Sequence, residues 1–513
     1  MHGSVTKRTL RRTKHNVDMD GPFVASRRSH DAVMATTASE VADRHYGAKV
    51  TAVEPGGAEA IPLAERHGKP IQLLWTWTSP NMEFATVFVG IICVLFFGLT
   101  FWQAVLAIAI GTGLGAISHG VLSSWGPKTG QCQMVLSRRG FGFLGNFLPA
   151  GLNSLTAGIG WFAVNSVSGG LALAALTDLN KYLSLVIVVA TMLAIAYFGH
   201  NLIQMFERFA FPVLAVIFVI GAIVILTKAN PGAPAIPTET GGTLPGGFWV
   251  ALAATFGYAA GWNPYASDYT RYLQPTAGKA AGLFAGIGLF VSCLVLETIG
   301  AAAVTAVGGA DWNYDNPVSS YTGLLPVWLE KLTLLAICLG AIAANALNVY
   351  SSALSFTAMG IQLPTKSSRA AMAIVMGTAG FVVAAVGIDN IATYENFLLV
   401  IAYWIGPWLG VVFADRVLRR YRPRENVTVD PKYRNWAGFI AMIAAAAVSI
   451  WLFSDQTAYV GMVPSVIPEI GDITFEVGFV LAFVIYAVLF KPLAGPITFA
   501  PSDSVDNSPS VGL

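Results

Sequence analysis

The sequence predicts an all-α integral membrane protein of about twelve transmembrane helices. Three observations lead there. Of 513 residues, 55% are hydrophobic and only 11% charged, with a mean hydropathy of +0.62, whereas soluble domains carry about 25% charged residues. The apolar residues gather into runs of roughly 20, the length that crosses a bilayer core as a helix, and they do not alternate as a β-barrel strand would. Lys and Arg collect in every second connector between runs, as the positive-inside rule requires of a multi-pass chain.

The first 72 residues hold no long apolar run and are rich in Lys and Arg, so they read as a polar, disordered cytoplasmic tail. The paired arginines of TKRTLRRTK lack a closely following apolar segment, which argues against a twin-arginine signal, and no cleavable signal peptide is visible. Spans are expected at 84–99, 101–122, 147–176, 183–199, 209–227, 247–269, 280–307, 325–352, 370–386, 393–413, 436–453 and 475–490. The basic connectors hold Lys128, Arg138 and Arg139, then Arg208, then Arg271 and Lys279, then Lys366 and Arg369, then DRVLRRYRPRE with Lys432 and Arg434. With the basic tail inside, both termini are cytoplasmic and the protein sits in the inner or plasma membrane.

Two spans are irregular. WTWTSPNMEF leads into the first, and GWNPYASDYTRY (261–272) interrupts the sixth, five spans later. Broken segments at corresponding positions of two halves point to an inverted repeat and to the binding site between them. The expected organisation is a transporter domain over 73–492, with repeat one at about 75–228, repeat two at about 246–414 and two further helices at about 436–490; 493–513 is a C-terminal tail.

Trp161 and Asn165 lie four residues apart in GIGWFAVN and so share a helix face. Asn345, Asn348 and Ser352 recur at helical spacing in the eighth span, where interhelical hydrogen bonding is the simplest role for each alone. Phe256, Tyr258 and Trp262 precede or enter the sixth-span break, and Ser79 sits in the approach to the first. An aromatic face beside amides suits a small, neutral, planar heterocycle, because rings stack on it while the amide both gives and accepts hydrogen bonds. Intramembrane carboxylates are functional candidates; Glu83 and Glu297 are the proton-coupling candidates, whereas Glu207, next to Arg208, reads as half of an interfacial pair. Arg271 reads as a cytoplasmic anchor, with Asp268 as its partner or a helix cap.

Other classes find little support. A net charge of +2 does not call for nucleic acid, the four cysteines are far apart, and the seven histidines show no metal or nucleophile spacing. No enzyme, catalytic residue, metal site or resident cofactor is expected.

GWNPYASDYTRY and GPKTGQCQMVLSRRGFG (126–142), with GIGWFAVN and NALNVYSSALS, resemble the nucleobase:cation symporter-1 family, the purine/cytosine permeases and their allantoin and hydantoin relatives. The resemblance runs from about 75 to 491 and is nearest to the purine–cytosine branch. It implies a leucine-transporter-type fold with helices 1 and 6 broken, a substrate held between helices 1, 3, 6 and 8, and alternating access. It assigns the substrate to Trp161, Asn165, Trp262 (or Phe256 or Tyr258 in another register), Asn348 (or Asn345) and Ser79. Sodium-coupled relatives carry two hydroxyl residues before an Asn in span 8, where this chain has Ala343 and Ala344 before Asn345. A hard cation loses ligands there, so the expected coupling ion is the proton, with sodium as its rival. The expected activity is import of cytosine or a purine by a monomeric symporter; the alternatives are allantoin, hydantoin, uracil or a vitamin heterocycle as substrate, and a sensor that binds without transporting.

Overall fold

The computed structural model describes residues 47–236, 246–308, 312–313, 317–361, 368–387, 394–419, 426–456 and 458–494. The first 46 residues of the expected N-terminal tail, most of the C-terminal one, Lys366, the basic residues of 420–425 and parts of the connectors at 237–245, 309–311, 314–316 and 388–393 lie outside them.

The first span is broken in its middle, not entered through an irregular loop. Helix α1 (Gln72–Thr78) meets a tight turn at Ser79–Asn81, and α2 (Phe84–Leu95) departs at 58°. Pro80 supplies the break, since it has no N–H to donate and fixes its own φ. Helix α3 (Phe101–Ser123) opens on a capping box of Thr100 and Gln103. It turns Trp102, Leu106, Ile110, Leu114, Ile117 and Val121 outward, a stripe at helical spacing that suits lipid. The connector helix α4 (Gln133–Gly145) follows, then α5 (Phe147–Leu155), a π-helical stretch Thr156–Trp161 and α6 (Phe162–Thr177). Such π-bulges recur at functional sites. Helices α7 (Lys181–Phe198) and α8 (His200–Lys228) complete the first half.

Helix α9 (Gly247–Ala260) has 14 residues, about 21 Å at 1.5 Å per residue, and falls short of a bilayer core of about 30 Å. The chain continues from it through turns over 261–273. Helices α10 (Gly278–Val307), α11 (Val327–Ala358), α12 (Ser368–Gly387), α13 (Tyr394–Arg419), α14 (Trp436–Phe453) and α15 (Thr474–Leu493) follow. Among the described residues ten helices are long and apolar enough to span, and the bent pair makes an eleventh. The expected count of twelve exceeds this by the sixth span, whose second half is a short 3-10 helix (Asn263–Tyr265) among turns and not an α-helix.

Residues 47–71, expected as part of a disordered tail, pack on the body. Ile61 N–H donates to Gly130 O (2.9 Å), His67 N–H to Tyr272 O (2.7 Å) and Glu54 N–H to Phe198 O (3.0 Å). Glu54 is buried between Arg271 (3.0 Å) and Arg369 (3.4 Å). Gly199, at φ 96 between α7 and α8, lets the backbone approach that carboxylate, where a Cβ would stand 2.5 Å from its oxygen. Arg271 is therefore not a solvated anchor but the partner of a carboxylate 217 residues away.

Helices α2 and α10 cross through small residues. A Cβ on Gly90 would lie 1.6 Å from Glu297 O, and one on Gly300 1.9 Å from Val87 O. Backbone cannot yield as a side chain does. Gly90→Ala is therefore expected to lower the melting temperature of the detergent-solubilised protein. Gly113→Ala, whose Cβ would meet Phe290 at an ordinary 3.6 Å, should not; equal melting of the two variants would contradict the crossing.

Candidate substrate site

Three asparagines set the polarity of the site. Asn345 on α11 donates from Nδ2 to the Phe162 carbonyl at 2.8 Å. A carbonyl only accepts, so Asn345 must present its Oδ1 the other way. That oxygen accepts from Asn165 Nδ2 (3.2 Å) and Asn348 Nδ2 (3.1 Å). Both neighbours are thereby oriented with their own Oδ1 atoms facing away, buried and without a partner among the described residues. One backbone carbonyl thus fixes two free acceptors.

Those acceptors belong to an enclosed pocket lined by Glu83, Trp161, Asn165, Tyr258, Gly261, Trp262 and Asn348. Both broken spans reach it: Glu83 is extended (φ −148°) and separated by one residue from the Ser79–Asn81 turn, and Trp262 follows the end of α9. Trp161, the last residue of the π-helical stretch, meets Tyr258 edge-on at 5.5 Å and Phe397 at 5.2 Å. The Glu83 carboxyl is held by Ala85 N–H and the Tyr258 hydroxyl, with Oε2 left over. The free volume is about 10 Å³, room for about one water, so side chains must move for a larger guest.

A family model described as a permease for cytosine/purines, uracil, thiamine and allantoin matches residues 60–478. The chain belongs to this permease family. A purine-cytosine permease of Saccharomyces cerevisiae is 30% identical over 464 residues, covering 81% of each chain. A putative purine-cytosine permease of Bacillus subtilis is 27% identical, over 86% of this chain and 96% of its own. The cytosine permease of Escherichia coli K12 is 27% identical, over 69% and 80%. In structure the permease resembles Mhp1, a nucleobase-cation-symport-1 family transporter, in a closed conformation with bromovinylhydantoin bound. The TM-score is 0.67 at 21% identity, covering 85% of this chain and 95% of Mhp1. The inward-facing form of Mhp1 gives 0.62 at 20% identity, covering 86% and 94%. The fold is therefore of the leucine-transporter type that the resemblance implied, and the permease is a multi-pass membrane transporter, not an enzyme.

Of the residues singled out in the sequence, Trp161, Asn165, Tyr258, Trp262, Asn348 and Glu83 meet in one pocket of the permease. The four other substrate and coupling candidates do not line it. Asn345 stands behind, as the clamp for two amides. Phe256 stacks on Phe475 at 3.9 Å, on the side of α9 facing α15. Ser79 hydrogen-bonds to Glu207 and to Trp75 O. Glu297 accepts from Thr112 at 2.9 Å, between α3 and α10.

Glu207 corrects a second expectation. It is fully buried and bonded to Ser79, while Arg208 is exposed. Consecutive helical residues point about 100° apart, so sequence neighbours of opposite charge need not pair. Asp268 takes the helix-cap role, the second of its two expected ones: it accepts from Gln133 N–H at 2.8 Å at the start of α4. Sequence reasoning missed Asn81, whose Oδ1 accepts from Trp262 Nε1 at 2.9 Å and ties the two breaks together. Its signal was present: an amide beside Pro80 in a broken span.

Proposed function

We propose that the permease is a secondary active symporter that imports cytosine or a purine base with a proton, by alternating access between repeats at about 75–228 and 246–414. The observation that carries the reading is the pocket itself. Two indoles offer stacking faces, and two buried amide oxygens and a carboxyl converge beside them. Unpaired buried acceptors favour a guest with N–H donors, since an unsatisfied polar group costs about 1–3 kcal/mol. A neutral amino- or oxo-substituted ring supplies donors and a flat face together. The purine-cytosine permeases among the relatives support the same class.

The proton reading rests on Ala343 and Ala344, which bring no side-chain oxygen, and on Glu83 in the pocket. A protonated Glu83 can donate to a ring nitrogen; the ionised form only accepts. Glu83→Gln imitates the protonated acid permanently. It is expected to keep base exchange in proteoliposomes and to lose concentrative uptake driven by a proton gradient; undiminished accumulation would exclude this role. The Lys and Arg distribution supports cytoplasmic termini in the cell membrane.

A competition panel of nucleobases, allantoin and hydantoins against labelled cytosine, with and without sodium, tests the whole reading. Cytosine or a purine should compete best without sodium. Uptake that needs sodium and ignores a collapsed proton gradient would sink the coupling, and saturable binding without accumulation would make the protein a sensor.

A further inference from the structure

A second cavity, about 320 Å³, lies where residues 48–50 and 67–69 cover the starts of α1 and α8 and the end of the 261–273 stretch. We infer that it is a second binding subsite for the same planar heterocycle, on the route between the central pocket and the face carrying residues 47–71; this rests on the function proposed above. The first ground is an unbroken series of ring contacts. Trp262 of the central pocket meets Trp77 at 5.6 Å, Trp77 meets Tyr269 at 5.5 Å, and Tyr269 is a wall of the second cavity. There His200 stacks on Tyr272 at 3.8 Å and lies 6.2 Å from Tyr269. One layer of rings, Trp77 and Tyr269, separates the two chambers, and each chamber has aromatic walls.

The second ground is the polar lining. His200 is 5% exposed and its Nδ1 has no partner among the described residues. Gln204 spends its Oε1 on Thr76 (3.0 Å), and its buried Nε2 has no partner among the described residues. His200 and Gln204 line this space together with Lys69, Arg208 and the aromatic rings, and among the described residues its lining holds no carboxylate. This is the complement of the central pocket, which offers acceptors. A nucleobase carries both edges: N–H donors for the centre, and carbonyl oxygen and ring nitrogen for this cavity. At about 320 Å³ the space is at the small end of ligand pockets and takes a single base.

Equilibrium dialysis of the purified full chain against labelled cytosine, repeated with labelled adenine, tests the inference. The wild type is expected to show two classes of site, one tight and one weak. Gln204→Leu should weaken the second class at least tenfold and keep the tight class, which also proves the variant folded; Trp161→Ala should weaken the tight class and keep the weak one. One site per chain, lost in Trp161→Ala and untouched in Gln204→Leu, would overturn the subsite and leave the proposed function standing. A wild type that binds neither base would overturn both.

Discussion

The Glu54→Ala variant is expected to expose Cys132 to a water-soluble maleimide at least tenfold faster than the wild type. Glu54 faces two buried guanidinium groups, Arg271 at 3.0 Å and Arg369 at 3.4 Å. It also accepts from the Tyr350 hydroxyl (3.1 Å), the Tyr272 hydroxyl and His200 N–H (3.1 Å). One carboxylate thereby joins the N-terminal segment to α8, α11, α12 and the broken end of span 6. Removing it leaves two like charges in a dry site, and breaking a buried pair costs about 3–5 kcal/mol. Spread over a two-state opening, that is about 10²-fold or more in the equilibrium. Cys132 is a native reporter of the event. It is buried, and burial, then the nearby Asp268 charge, push its thiol up to about 12, so little reactive thiolate forms while this face is closed. Once Arg271 lacks its carboxylate, the 261–273 stretch that holds Gln133 through Asp268 loses its ionic anchor, and Cys132 beside it meets water. Glu54→Gln keeps an acceptor oxygen without the charge and should fall between the two. A variant with wild-type labelling and wild-type melting would show that the bridge holds nothing.

This bridge also marks where sequence reading runs out. Arg271 looked like a cytoplasmic anchor because local sequence offers it only Asp268, three residues back. Its partner is 217 residues away, and no spacing rule spans that distance. Helix periodicity, by contrast, is local, so the spans were legible, as was the break at Gly261 to Pro264, where glycine and proline stand inside an apolar run. The first break was displaced toward the start of its span because α1 contributes only seven residues, QLLWTWT, too short and too mixed to read as half a membrane helix. Within the site, the types and spacing of Trp161, Asn165 and Asn348 were visible. That Asn345 would turn its back on the pocket depended on the Phe162 carbonyl, a tertiary contact. Glu207 failed for another reason: adjacency to Arg208 was read as pairing, although a helix points neighbours apart.

Replacing Trp161 by Ala is expected to raise the KM for the transported base about 5- to 150-fold, the range for losing a stacking worth about 1–3 kcal/mol. The indole is 6% exposed and borders the pocket beside Asn165. Its contacts with Tyr258 and Phe397, at 5.5 and 5.2 Å, are T-shaped and not face-to-face stacks, so neither ring already takes the place of a stacked base. The same truncation opens a void where three helices meet, and burying less there costs about 3–5 kcal/mol of stability for a large aromatic. A fall in uptake alone would therefore not separate recognition from folding. Trp161→Phe separates them: it keeps a ring and most of the packing, so it should restore expression and melting but recover only part of the affinity. Asn348→Ala gives an independent check on the polar edge. It removes one of the two acceptors aligned by Asn345 and should change the ranking among bases more than the affinity for all of them, because stacking is indifferent to edge chemistry while the amide is not. If both Trp161→Ala and Asn348→Ala transport with wild-type KM and ranking, the base binds elsewhere, and the convergence of two indoles and two free amide oxygens has a purely structural cause.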